Sequence, residues 1–119
     1  MSQEFHAQVR QQPQRSTLDL TGEINGAADE ALSAAYAQAE SQNPGTIALN
    51  FSQVSYINST GIALIVGLMA RSRKAHRRLA VYGLSEHYKE IFQITRLVDF
   101  LTIYEDESAV AADVGRSSN

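Results

Sequence analysis

A chain of 119 residues with 44% hydrophobic and 19% charged residues is long enough for one hydrophobic core and too apolar to be disordered throughout. The absence of cysteine excludes a disulfide framework, a thiol nucleophile and cysteine-ligated metal centres. A net charge of −3 opposes nucleic-acid binding, and the longest apolar run, ten residues from Gly61 to Ala70, is too short to span a bilayer.

Phe5, Ala7 and Val9 alternate with His6, Gln8 and Arg10, the period of a half-buried strand. Gln11-Gln12-Pro13-Gln14 interrupts it, and Leu18 and Leu20 then alternate with Thr17, Asp19 and Thr21. These two segments are predicted to pair as a hairpin or as neighbours, the second ending at Gly22. Asn25 is placed to cap a helix over residues 26–41 with Leu32, Ala35, Tyr36 and Ala39 on one side, closed by Asn43-Pro44-Gly45. Residues 46–51, with Ile47, Leu49 and Phe51 on one face, read as a central strand. A second helix is predicted from Ser59 to between Lys74 and His76, and residues 79–82 form the next strand. Ser85 caps a third helix whose Tyr88, Ile91, Phe92 and Ile94 make an inward stripe. A last strand at 101–104 and a short helix at 107–114 complete the pattern. Residues 1–114 thus read as one α/β domain and 115–119 as a flexible tail. Helical crossovers demand parallel pairing in a mixed five-stranded sheet, and the modest number of helices, about four, predicts two layers.

The segment Val54-Ser55-Tyr56-Ile57-Asn58-Ser59-Thr60-Gly61-Ile62 carries the strongest functional signal. It sets two hydroxyl residues at a helix start directly after a buried strand. Unpaired N–H groups and the helix field favour an anion there. A phosphate is therefore tolerated structurally while it changes the local charge by about 1.5 to 2 units. Asn58 is the candidate cap. Ser59, at the first helical position, points outward more readily than Thr60 and is the better acceptor, although both hydroxyls also suit helix-end hydrogen bonding. The helix that follows is apolar all round. A two-layer domain buries one side of it, which places Ile62 and Ala63 on a protein-binding face and Leu68 and Met69 inside, unless neighbouring helices bury the whole run.

In this order of elements the chain resembles a STAS domain, specifically the bacterial anti-sigma factor antagonist family. The resemblance covers residues 5–114 and rests on Leu18-Asp19-Leu20-Thr21-Gly22-Glu23-Ile24, on the strand at 47–54 followed by Tyr56-Ile57-Asn58-Ser59-Thr60-Gly61, and on the segments 79–84, 91–97 and 101–104. It implies that Ser59 is the phosphoacceptor, with Thr60 and Gly61 at the matching next positions. Asn58 stands where the family has aspartate, which keeps capping capacity and removes a charge. It further implies a serine kinase that doubles as an anti-sigma factor, bound through Asn58, Ser59, Thr60, Gly61, Ile62 and Ala63 and released by phosphorylation. A phosphoserine phosphatase would restore binding. ATP and magnesium would belong to the kinase, so no cofactor, metal or catalytic residue is expected in this chain.

Other features read as structural. Arg71, Arg73, Lys74, Arg77 and Arg78 complement a helix C-terminus in solvent. His6, His76 and His87 lack metal-ligand spacing, and Ser59 lacks the setting of a hydrolase nucleophile. Asp19, Glu23 and Asp29 are expected to face solvent or cap, with a grouping around the first turn as the alternative, and Tyr56 and Tyr82 to sit in the core or at a rim, with a shared small pocket as the alternative. The competing reading is a non-enzymatic scaffold that self-associates in a larger signalling assembly, or a small-ligand sensor. No direct nucleic-acid or membrane partner is expected. An N-terminus without signal-peptide character leads to the expectation of a cytoplasmic protein.

Overall fold

The computed structural model describes residues 4–117, the last two by backbone alone. Strands β1 (His6–Gln12) and β2 (Arg15–Ile24) form the antiparallel hairpin. A 3₁₀ turn (Gly26–Ala28), capped by the Asn25 side chain, leads into α1 (Asp29–Glu40). Then follow β3 (Thr46–Ile57), α2 (Ser59–Lys74), β4 (Arg78–Tyr82), α3 (Glu86–Ile94), a second 3₁₀ turn (Leu97–Asp99), β5 (Thr102–Tyr104) and α4 (Glu107–Ser117). The sheet order is β1-β2-β3-β4-β5, with every pair after the hairpin parallel.

Alternation along β3 divides the interior. Ile47, Leu49 and Phe51 face the main core, where they meet Leu32 and Tyr36 of α1, Ile65 and Leu68 of α2, and Phe92 of α3. Ala48, with Ala80 and Tyr82 of β4, faces the other way and is covered by Val110 of α4. The two-layer expectation describes the sheet with α1, α2 and α3. The small side chains of Ala48 and Ala80 leave room for α4 as a partial layer on the far face.

Several details differ from the pattern-based reading. Gly22 does not end β2; at φ 93° it sits beside a register shift, and the strand runs on to Ile24. β3 likewise continues past Phe51, because β2 stays beside it as far as the pair Ile24 and Ile57. α4 passes Val114 and remains helical through Ser117, while residues 118–119 of the expected tail lie outside the described residues. Ile94 is 71% exposed rather than part of the inward stripe, since it lies two positions, about 200° of helix rotation, from buried Phe92.

The basic cluster has more structure than a solvated face. Arg71 and Arg77 share the carboxylate of Glu40 at 2.6 and 3.2 Å, and Arg78 pairs with Asp113 at 2.8 Å. These contacts tie the end of α2 to α1 and the start of β4 to α4.

Candidate functional site

β2 and β3 finish side by side, and the chain turns at Asn58 into α2. The backbone of Asn58 is extended at φ −89° and ψ −178°, and its N–H donates to the Ile24 carbonyl at 3.2 Å. Its side-chain oxygen accepts from the Gly61 N–H at 2.8 Å, and its carbonyl accepts from Ile62 N–H at 2.9 Å. Asn58 is thus the N-cap that the sequence predicts. Gly61 is buried in this turn, where only glycine lets α2 approach the end of β2 so closely.

Ser59 and Thr60 are both exposed, and neither hydroxyl takes a hydrogen bond among the described residues. The first turn of α2 contains no acidic residue, so no side chain within the turn offsets the field of its N-terminus. An anion at Ser59 would meet that field without displacing any existing contact.

On the other edge of β3 the strand ladder stops early. β4 pairs with β3 only as far as Asn50, opposite Tyr82, leaving residues 51–57 with a strand neighbour on one side. Tyr88 of α3 closes the end of that edge. Its hydroxyl accepts from the Ile57 N–H at 2.8 Å and donates to the Ile57 carbonyl at 3.4 Å, two residues before Ser59. The sequence marked Tyr88 as an inward residue, but nothing in the pattern signalled the role of its oxygen.

Ala63 is exposed as expected, whereas Ile62 is half-buried against the main core. Leu68 and Met69 are buried. The exposed side of α2 runs from Ser59 through Ala63, Val66 and Ala70 to a shallow apolar hollow of about 200 Å³. Val66 and Phe100 line this hollow at 41% and 52% exposure, and the Arg73 guanidinium lies 5.2 Å above the Phe100 ring. Neither apolar residue was singled out from sequence. An aromatic residue directly after a 3₁₀ turn, outside any strand, was the available signal.

The remaining candidates disperse. Asp19 accepts from Arg10 Nε at 2.5 Å and from Asn50 Nδ2 at 2.8 Å, whereas Asp29 accepts from the Ser33 hydroxyl. Among the described residues no group of three or more His, Cys, Asp or Glu side chains is arranged to hold a metal ion. The His87 ring stands edge-on to Tyr88 at 5.0 Å. Tyr82 is buried beside Asn50, and Tyr56 is exposed six residues further along β3, about 20 Å away. The structure does not bring the two tyrosines together.

A polar network on the α4 side of the sheet was invisible in the sequence. Arg10 joins Asp19 to Glu107, and Glu107 also pairs with Arg15 at 3.3 Å. Burial pushes the Asp19 carboxyl up, but hydrogen bonds from Arg10 and Asn50 outweigh it and hold it below its ordinary range. The hydrogen bond from Arg10 likewise holds Glu107 down against partial desolvation. Among the described residues, no helix is long and apolar enough to cross a membrane.

The mixed sheet thus presents an exposed hydroxyl pair at the start of the helix that follows its longest strand. The sequence profile of the family described as "Mlab, STAS domain" matches residues 7–103, most of the chain, and the protein belongs to the STAS domain family. Its relatives include the anti-sigma-B factor antagonist of Listeria monocytogenes serovar 1/2a, 34% identical over 55 residues, or 46% of this chain and 48% of that protein. The chain spans about half the length of the curated relatives it matches. Among solved structures, an anti-sigma factor antagonist from Mycobacterium paratuberculosis superposes with a TM-score of 0.80 at 17% identity, covering 93% of this chain and 94% of that one. The Bacillus cell fate determinant SpoIIAA in its phosphorylated form gives 0.69 at 24% identity, covering 89% and 97%. At these identities the likeness establishes the fold.

Proposed function

We propose that this protein is an anti-sigma factor antagonist whose capture of a serine kinase, itself an anti-sigma factor, ends when Ser59 is phosphorylated. The observation that carries this reading is the Ser59 side chain, exposed and unbonded at the first position of α2. Beside it lies the exposed side of the helix that leads to Val66 and Phe100. The names of the relatives support the same reading.

The physical switch needs no refolding. Unmodified, Ser59 and Ala63 enter a partly desolvated interface at small cost. A phosphate of about −2 charge makes that burial unfavourable unless the partner supplies a cation. Meanwhile the helix N-terminus stabilises the modified free protein. ATP and magnesium come with the kinase, and a phosphoserine phosphatase returns the chain to its binding form.

Intact-mass measurement on protein from its native cells, before and after phosphatase and with fragmentation, tests the modification. A removable addition of about 80 Da on Ser59 is expected. In parallel, Ser59→Ala should hold the co-purifying kinase and Ser59→Glu should release it. Absence of phosphate through growth and stress, together with equal capture by both variants, would overturn the proposal.

A further inference from the structure

The two ends of the sheet carry opposite charge. Where β4 and β5 begin, Arg73, His76, Arg77 and Arg78 line an open cleft of about 620 Å³ whose opposite wall bears Val98 and Phe100. The single carboxylate among its described lining residues, Asp99, is already held by Arg96 at 3.0 Å. Arg77 shares Glu40 with Arg71, and Arg78 pairs with Asp113. Arg73 rests on the Phe100 ring, the neighbouring Lys74 is exposed, and neither has an ion-pair partner among the described residues. Positive charge is therefore left over at this end.

At the other end, Glu4, Glu23 and Glu30 line a cleft of about 420 Å³ that includes no arginine or lysine among the described residues. Glu23 is the next-to-last residue of β2 and Glu30 lies in the first turn of α1. Neither has an ion-pair partner among the described residues. The antiparallel turn of β1 returns Glu4 to the same end. The parallel register fixes the separation: Thr46 pairs with Arg78 at one end of β3, and Ile57 pairs with Ile24 at the other. The 16 residues of α2 span about 24 Å of that distance.

We propose that the basic cleft is a docking site for a second copy of this chain, which enters it with the acidic rim of Glu23 and Glu30. Complementary charge on the two ends of one molecule is the argument for this occupant over an unrelated acidic protein. Because the two surfaces differ, the contact is head to tail. Each added copy presents the same two unmet ends, and growth stays open unless rotation closes a ring. Exposed Arg73, Lys74 and Glu30 and half-buried Glu23 carry the contact, so it is weak and screened by salt. It requires no modification of Ser59 and stands independently of the switch proposed above.

Sedimentation velocity of the full chain over a range of concentrations, at about 20 mM and about 500 mM salt, tests the proposal. The average mass should climb with concentration at low salt and return to the monomer at high salt. Two variants separate the ends: Arg73→Gln with Lys74→Gln, and Glu23→Gln with Glu30→Gln. Each alone should weaken association about tenfold or more while still melting cooperatively as a folded domain. An equimolar mixture of the two should form one-to-one pairs and nothing larger, since one intact acidic end meets one intact basic end. A monomer at every concentration in low salt would overturn the proposal, as would association that survives both variants. A mixture that fails to pair would also overturn it, by pointing to an unrelated acidic occupant or a symmetric contact.

Discussion

An added Cβ on Gly61 would lie 2.0 Å from the carbonyl oxygen of Ile24, inside the closest approach of real atoms. The first turn of α2 is seated on the last residue of β2 through this absent side chain. Gly61→Ala must push the helix start away from the strand, and the Asn58 N–H bond to the same carbonyl goes with it. A loss of about 1–3 kcal/mol, typical of overpacking, is expected in urea unfolding. Unchanged stability would mean that the turn yields without strain.

Asn58 gives a graded test of the cap. Asn58→Ala removes the acceptor for the Gly61 N–H and should cost about 1 kcal/mol. Asn58→Asp keeps the acceptor and adds a negative charge at a helix N-terminus whose first turn holds no acid, a gain of about 0.3–1 kcal/mol. Thermal melts should therefore rank aspartate at or above asparagine and alanine below both. An aspartate variant as unstable as alanine would remove the field argument for anion tolerance at Ser59.

The hydroxyl of Tyr88 should be felt locally. Tyr88→Phe deletes the partner of the Ile57 N–H at small change in volume, with a cost of about 1 kcal/mol. Amide hydrogen exchange is expected to quicken by about fivefold at Ile57 and its neighbours toward Gly61, while the central residues of β3 and β4 stay protected. Uniform acceleration across the sheet would show a global loss instead of a local clamp.

Acid should weaken the attachment of α4. Asp19 and Glu107 both titrate lower in the folded protein than their ordinary values of 3.8 and 4.5, because Arg10 binds their charged forms. A folded-state value below the unfolded one adds stability above the unfolded value, and that contribution disappears as pH falls through the folded value. Stability should hold from neutral pH to about 5 and then drop below about 4. Denaturant titrations at stepped pH should show a shallower drop for Glu107→Gln, which has no charge to lose.

Local pattern made much of this structure legible before any coordinates. The apolar alternation of Ile47, Leu49 and Phe51 located the central strand, and Asn58 ahead of Ser59 located the start of α2. Pattern failed where a long-range neighbour overrides it. Gly22 reads as a strand end in isolation, yet pairing with the extended β3 keeps β2 going through Ile24. The partner of Arg10 at residue 107 and that of Ile57 at residue 88 are set by topology, so no window of sequence contains them. Ile94 failed for a simpler reason: a nine-residue helix has too few turns for one apolar residue to fix its face.

The one-sided half of β3 also bears on how safely this protein can be made and stored. Residues 51–57 include a rim with no strand beside it, shielded by α3 through Phe92 on Phe51 and Tyr88 on Ile57. If α3 lifts, that rim becomes a template for any extended chain, with half-buried Val54 and exposed Tyr56 along it. The strand that projects far enough to offer Ser59 to a partner is for the same reason the segment most open to aggregation, and the short helix that steadies it is also its guard.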